Sequence, residues 1–221
     1  MSELQTDTRV SIMNQMPEAD VTARSALHFS QAATQPVFGP GQAQVFLWED
    51  ALRGQLVIRG DASNTDFAKG ISSALDLALP GQLASSVSDA MALLWIAPDE
   101  WLLLCDLEQA FAIETRLRDA LTGHYAVINV SGGQTQIRLA GSAAARVLQK
   151  SMPYAVSDTH FPVGKVATTA LSKTQATVRR IDSTDWELTV RRSFADYAWR
   201  WLTDASREYG LHLGQPEHDE T

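Results

Sequence analysis

Hydrophobic and polar positions are unevenly organised along the 221-residue chain. Up to about residue 44 no period of 2 or 3.6 is sustained, and Gln, Ser, Thr, Ala and Pro dominate. From Val45 onward the pattern tightens. The run LVIRG at residues 56–60 predicts a strand, and Phe67, Ile71, Leu75 and Ala78 then recur at helical spacing until Pro80. Two apolar runs, 92–97 and 101–105, flank a Pro-Asp-Glu turn and predict a hairpin. Ala110, Ile113, Leu117, Ala120 and Leu121 then mark one face of an amphipathic helix. Asp106, with Gln109 three residues on, is its expected N-cap, and Gly123 its stop.

The second half runs through the same order. AVINVSGGQTQIRLAG at 126–141 predicts a hairpin turning on Gly132 and Gly133, followed by a helix carrying Ala144, Ala145 and Leu148 before Pro153. Strands are expected at 167–171, 176–181 and 186–190. A final helix capped by Ser193 places Phe194, Tyr197, Ala198, Trp201, Leu202, Ala205 and Tyr209 on one stripe, closed by Gly210. In that register Trp199 faces away from the core. Trp186 follows Trp101 by 85 residues, and Gly141 follows Gly60 by 81. These offsets predict an α+β fold of duplicated strand-helix-hairpin-helix units. The expected organisation is an N-terminal arm over 1–44, repeats over 45–130 and 131–213, and an acidic tail over 214–221.

Composition narrows the function. With 45% hydrophobic and 20% charged residues, the chain is of ordinary globular type and long enough to bury about 70% of its unfolded surface. A formal net charge of -8 provides no basic footprint for nucleic acid and disfavours an anionic membrane. The single cysteine, Cys105, ends an apolar run, which predicts a small buried hydrophobe and excludes a disulfide framework. No apolar run approaches a membrane span, and residues 1–20 lack a basic start and an apolar core. A soluble, cytoplasmic protein is expected.

Catalytic templates are missing. There is no G-x-G-x-x-G, no phosphate-binding loop, no G-x-S-x-G and no H-E-x-x-H. Ser157, Asp158 and His160 lie too close in one irregular segment for a triad, and Asp99 with Glu100 suits turn chemistry. The expectation is therefore no catalytic, cofactor-binding or metal-binding residue. Arg179 and Arg180 are expected in surface salt bridges. Leu27 and Phe29 would anchor the arm across another surface, and Arg191, Arg192, Trp199 and Arg200, with Arg207, suit a subunit interface. For Trp199, cover by a partner or by another part of the chain stays open.

The motifs LWIAPDEWLLL, INVSGGQTQIRLAG, FPVG and VRRSFADYAWRWL, in that order from about Val45 to Gly210, resemble the gamma subunit family of heterotetrameric sarcosine oxidase. The resemblance implies a fold similar to the folate-binding domain of glycine-cleavage aminomethyltransferases. It implies a structural partner of alpha, beta and delta subunits, chiefly alpha, in a complex that demethylates sarcosine to glycine. The products there are hydrogen peroxide and either formaldehyde or methylenetetrahydrofolate. FAD, FMN, NAD and zinc would belong to the other subunits. The catalytic Asp of the related folate enzymes and the K-G-C-x-G-Q-E motif of related iron-sulfur maintenance proteins have no counterpart here. The homologous subunit of N-methylglutamate dehydrogenase and a stand-alone folate-dependent transferase are the alternatives.

Overall fold

The computed structural model describes residues 23–34 and 43–216. Val37, Phe38 and the Pro-Gly breakers of the expected arm lie outside the described residues, as does the tail beyond 216. A short helix, α1 (His28–Ala33), precedes two copies of one unit. The first copy is β1 (Val45–Asp50), β2 (Arg53–Arg59), α2 (Thr65–Leu75), β3 (Ser85–Val87), β4 (Ala92–Ala97) and β5 (Glu100–Asp106). A 3-10 turn then leads into α3 (Ala110–Ala120). The second is β6 (Ala126–Asn129), β7 (Gln134–Ala140), α4 (Ala144–Ser151), β8 (Val166–Leu171), β9 (Thr174–Arg180) and β10 (Asp185–Arg191). A 3-10 turn again precedes its helix, α5 (Ala195–Ser206), and β11 (Leu211–Leu213) ends the fold.

The copies exchange their first strands. β1 leaves β2 at once and pairs antiparallel with β7, while β6 leaves β7 and pairs antiparallel with β2. One sheet therefore runs β11-β1-β7-β10-β9-β8 and the other β3-β4-β5-β2-β6. The hairpin expected across Gly132 and Gly133 does not form, although the turn is tight: Gly132 takes φ +82 and the Gly133 N–H donates to the Val130 carbonyl at 2.9 Å. Positive φ lets the chain reverse, but it does not decide whether the departing strand pairs with its neighbour or crosses to the other sheet. The two copies, β1 to α3 and β6 to β11, therefore interlock in space, and β6, which the expected boundary at 130 placed in the first repeat, opens the second.

Each sheet carries its helices on one face. Under α2 and α3 lie Leu56, Ile58, Phe67, Ile71, Trp101, Leu103, Ile113 and Leu117. Under α4 and α5 lie Leu47, Ile137, Leu139, Leu148, Trp186, Leu188 and Leu202. A third, smaller core formed by Ala92, Leu94, Leu102 and Leu104 with Val166 joins the sheets. Both tryptophans of the repeat are buried. Trp101 Nε1 donates to the Pro80 carbonyl at 2.9 Å, whereas Trp186 lies between Phe161, 5.0 Å away, and the Arg180 guanidinium, 5.1 Å from its ring centre. Gly141 is required because its φ is +109 and a Cβ there would stand 2.3 Å from the Gln44 carbonyl oxygen. Cys105 is buried as expected, and burial pushes its thiol up to about 11.

Local details differ from the sequence expectation. Neither Asp106 nor Ser193 caps a helix, because a 3-10 turn intervenes in each repeat: Leu107–Gln109 before α3, and Arg192–Phe194 before α5. α5 buries Ala195, Ala198, Trp199, Leu202, Thr203 and Ser206, a face turned by one position from the apolar stripe. The hydroxyls make this possible, since Thr203 and Ser206 donate to the Trp199 and Leu202 carbonyls at 2.8 and 2.6 Å and so need no water. Arg180 is buried rather than superficial, donating to the carbonyls of Phe161, Asp182 and Ser183 and pairing with Asp158 at 2.7 Å. Arg179 pairs with the buried Glu187 at 3.0 Å.

Candidate functional site

The residues expected at an interface converge where α1 crosses the second repeat. Inward positions of β1 are Val45, Leu47 and Glu49, so the period-2 pattern delivers a carboxylate to an apolar face. That carboxylate is satisfied by the arm. Glu49 Oε1 accepts from the Leu27 N–H at 3.3 Å and from Thr135 Oγ1 at 2.6 Å, and Glu49 Oε2 accepts from Gln31 Nε2 at 2.8 Å. Leu27 then sits in the core at 0% exposure. At the other end of α1, Trp199 Nε1 donates to Thr34 Oγ1 at 2.9 Å. Ser30 Oγ donates to Asp196, which also receives Arg200 Nε at 3.0 Å.

Two members of the expected interface are buried within the chain. Trp199 is 1% exposed, covered by α1, and Leu27 anchors the arm to its own chain. Neither side chain is free to meet a partner while α1 stays docked. Phe29 is 72% exposed, with the Arg24 guanidinium 5.7 Å from its ring centre, and Arg192 Nη2 donates to the Arg24 carbonyl at 3.2 Å. Arg191, Arg192 and Arg200 are exposed, and Arg207 pairs with Asp204 at 3.5 Å. Sequence reasoning missed Glu49, whose signal was an acid at an inward strand position. It also counted Phe194, which is 44% exposed, as core.

Two hollows flank the end of β10. One, of about 230 Å³, lies on the seam between the repeats, lined by Arg24, Leu52, Arg53, Leu107, Gly132 and Arg192 among others. The other, of about 360 Å³, is lined by Ala170, Lys173, Thr174, Gln175, Arg191 and Phe194. The Ser157 hydroxyl is 2.9 Å from His160 Nδ1, but Asp158 turns to Arg180 instead of the imidazole, so no charge-supported nucleophile is assembled. Asp99, in the turn of the β4–β5 hairpin, pairs with Arg59 at 2.8 Å, which holds its carboxyl below the usual range. Among the described residues no set of His, Cys, Asp and Glu fits a metal ion, and no helix is long and apolar enough to cross a membrane.

Comparison with known proteins adds to this geometry. The profile of the sarcosine oxidase gamma subunit family matches residues 59–208. The chain is 31% identical over 194 residues to sarcosine oxidase subunit gamma of Corynebacterium sp. (strain U-96), covering 84% of this chain and 91% of that one. It is 30% identical over 200 residues to the subunit gamma of an Arthrobacter sp., covering 89% and 96%. In space it is similar to a chain of heterotetrameric sarcosine oxidase from Corynebacterium sp. U-96 in complex with pyrrole 2-carboxylate. The TM-score is 0.78 at 28% identity, with 87% of this chain and 99% of that one covered. Glycine cleavage system aminomethyltransferase T from Bartonella henselae has the same fold, with a TM-score of 0.60 at 16% identity over 85% of this chain and 58% of that one.

Proposed function

The chain belongs to the sarcosine oxidase gamma subunit family, and on that premise we propose that it is an assembly subunit of a heterotetrameric oxidase. That enzyme would demethylate sarcosine to glycine, releasing formaldehyde or passing the one-carbon unit to tetrahydrofolate, and would reduce oxygen to hydrogen peroxide. The observation that carries this reading is the end-to-end match to one chain of a heterotetramer, covering 87% of this chain and 99% of that one. Coverage of that extent leaves no room in the relative for a catalytic domain this chain lacks. The close relatives are all named for sarcosine oxidase, which favours it over an N-methylglutamate dehydrogenase subunit.

In this reading the neighbours are the alpha, beta and delta subunits, with alpha the main contact. FAD, FMN, NAD and zinc are theirs. Phe29, Arg191, Arg192 and Arg200 face the partner, while Leu27 and Trp199 act behind them by fixing α1. The rival, a stand-alone folate-dependent transferase, is tested by titrating the purified chain with tetrahydrofolate and assaying methylene transfer. No turnover is expected. Stoichiometric binding with transfer would replace the subunit reading.

A further inference from the structure

Half of the 18 basic side chains of this acidic chain are neutralised internally. Arg53, Arg59, Arg118, Arg138, Arg179, Arg180, Arg200, Arg207 and Lys150 each have a carboxylate within ion-pair distance. Of the basic side chains with no carboxylate partner among the described residues, Arg24, Lys173, Arg191 and Arg192 lie along one strip. Arg192 bonds the backbone of Arg24, Arg24 covers Phe29, and Arg191 shares the larger hollow with Lys173 and Phe194. Phe29 and Phe194 are both among the exposed large hydrophobic side chains. Solvated cations beside exposed aromatic rings are the composition of a contact surface with a charged rim. On a chain of net charge -8 such a strip selects its partner by sign, because an acidic segment would be repelled from the rest of the molecule.

We propose that the strip from Phe29 and Arg24 through Arg192 and Arg191 to Lys173 and Phe194 receives an acidic segment of a neighbouring oxidase subunit. The segment's carboxylates lie against the arginines at the two hollows, and its apolar side chains cover the two phenylalanines. This rests on the assembly reading above. The strip is complete only when α1 is docked, since α1 and the residues before it supply Phe29 and Arg24. The buried contacts of Leu27, Glu49 and Trp199 therefore shape the partner site without touching the partner.

The test is co-expression of the tagged full-length chain with the other subunits, followed by affinity capture across a salt series. The combined variant Lys173→Glu, Arg191→Glu, Arg192→Glu is expected to bind about tenfold or more weakly, with a flattened salt dependence. Arg191→Lys with Arg192→Lys keeps the charge and should hold most of the affinity. Arg116→Glu on α3 should change nothing. Circular dichroism establishes that each variant is folded. Wild-type assembly together with an unchanged affinity and salt slope for the triple variant would overturn the acidic-segment proposal alone. Failure of the wild-type chain to assemble would overturn the subunit reading and this proposal with it.

Discussion

α3 and α5 occupy equivalent places in the two repeats, 85 residues apart, yet they bury different amounts of themselves. In α3 the inward residues are Ala110, Ile113 and Leu117, and their counterparts Ala195, Ala198 and Leu202 face inward in α5. The difference lies at the next position round the helix. Glu114 of α3 pairs with Arg118 at 2.8 Å at the edge of solvent, whereas its counterpart Trp199 is fully covered. Among the described residues no counterpart of α1 accompanies α3. The arm gives α5 a second buried face, and a tryptophan occupies the site where α3 keeps an ion pair. One helix design thus serves as an outer wall in one copy and as the seat of a strap in the other.

Replacing Trp199 with Ala is expected to have the largest effect, lowering stability by about 3–5 kcal/mol in urea denaturation. Glu114→Ala should cost under about 1 kcal/mol, as for a partly solvated ion pair. Equal costs would erase the distinction between the helices. Leu27→Ala should cost about 2–3 kcal/mol and act mainly on the strap. Hydrogen exchange should then quicken in α1 while α3 stays protected. Thr34→Val deprives the Trp199 N–H of its acceptor and should cost about 1–2 kcal/mol, with a shift in tryptophan fluorescence as a second readout.

The smallest effect concerns another equivalent pair, because Cys105 stands where the second repeat has Val190. Cys105→Val should therefore change stability by less than about 1.5 kcal/mol. The wild-type thiol adds a pH dependence of known sign. Burial raises it from 9.0 to about 11, so the native state holds its proton longer than the unfolded chain. Its contribution is complete below pH 9 and is lost as pH climbs toward 11. A thiol reagent at pH 8 should label the unfolded chain and spare the folded one.

What the sequence disclosed, and what it hid, divides along the same line. The β4–β5 hairpin, the inward face of α3 and the tryptophan repeat were legible because local spacing alone decides them. α5 was misread by one position because Thr203 and Ser206 look solvent-facing until their hydroxyls are seen to bond the preceding turn. The crossing of β1 and β6 leaves no local trace, since a strand's alternation is the same whichever partner it takes. At the candidate interface the arginines of VRRSF were legible by composition. Which of the two covers left open for Trp199 is used was not, because its contact with Thr34 spans 165 residues.

The central claim is that this chain works as one subunit of a heterotetramer. Native mass spectrometry of the chain co-expressed with the other subunits and purified through a tag tests it most directly. The expected result is a single assembly containing one copy of this 24.2 kDa chain together with flavin-bearing partners. The chain recovered alone, or only with copies of itself, would contradict the claim.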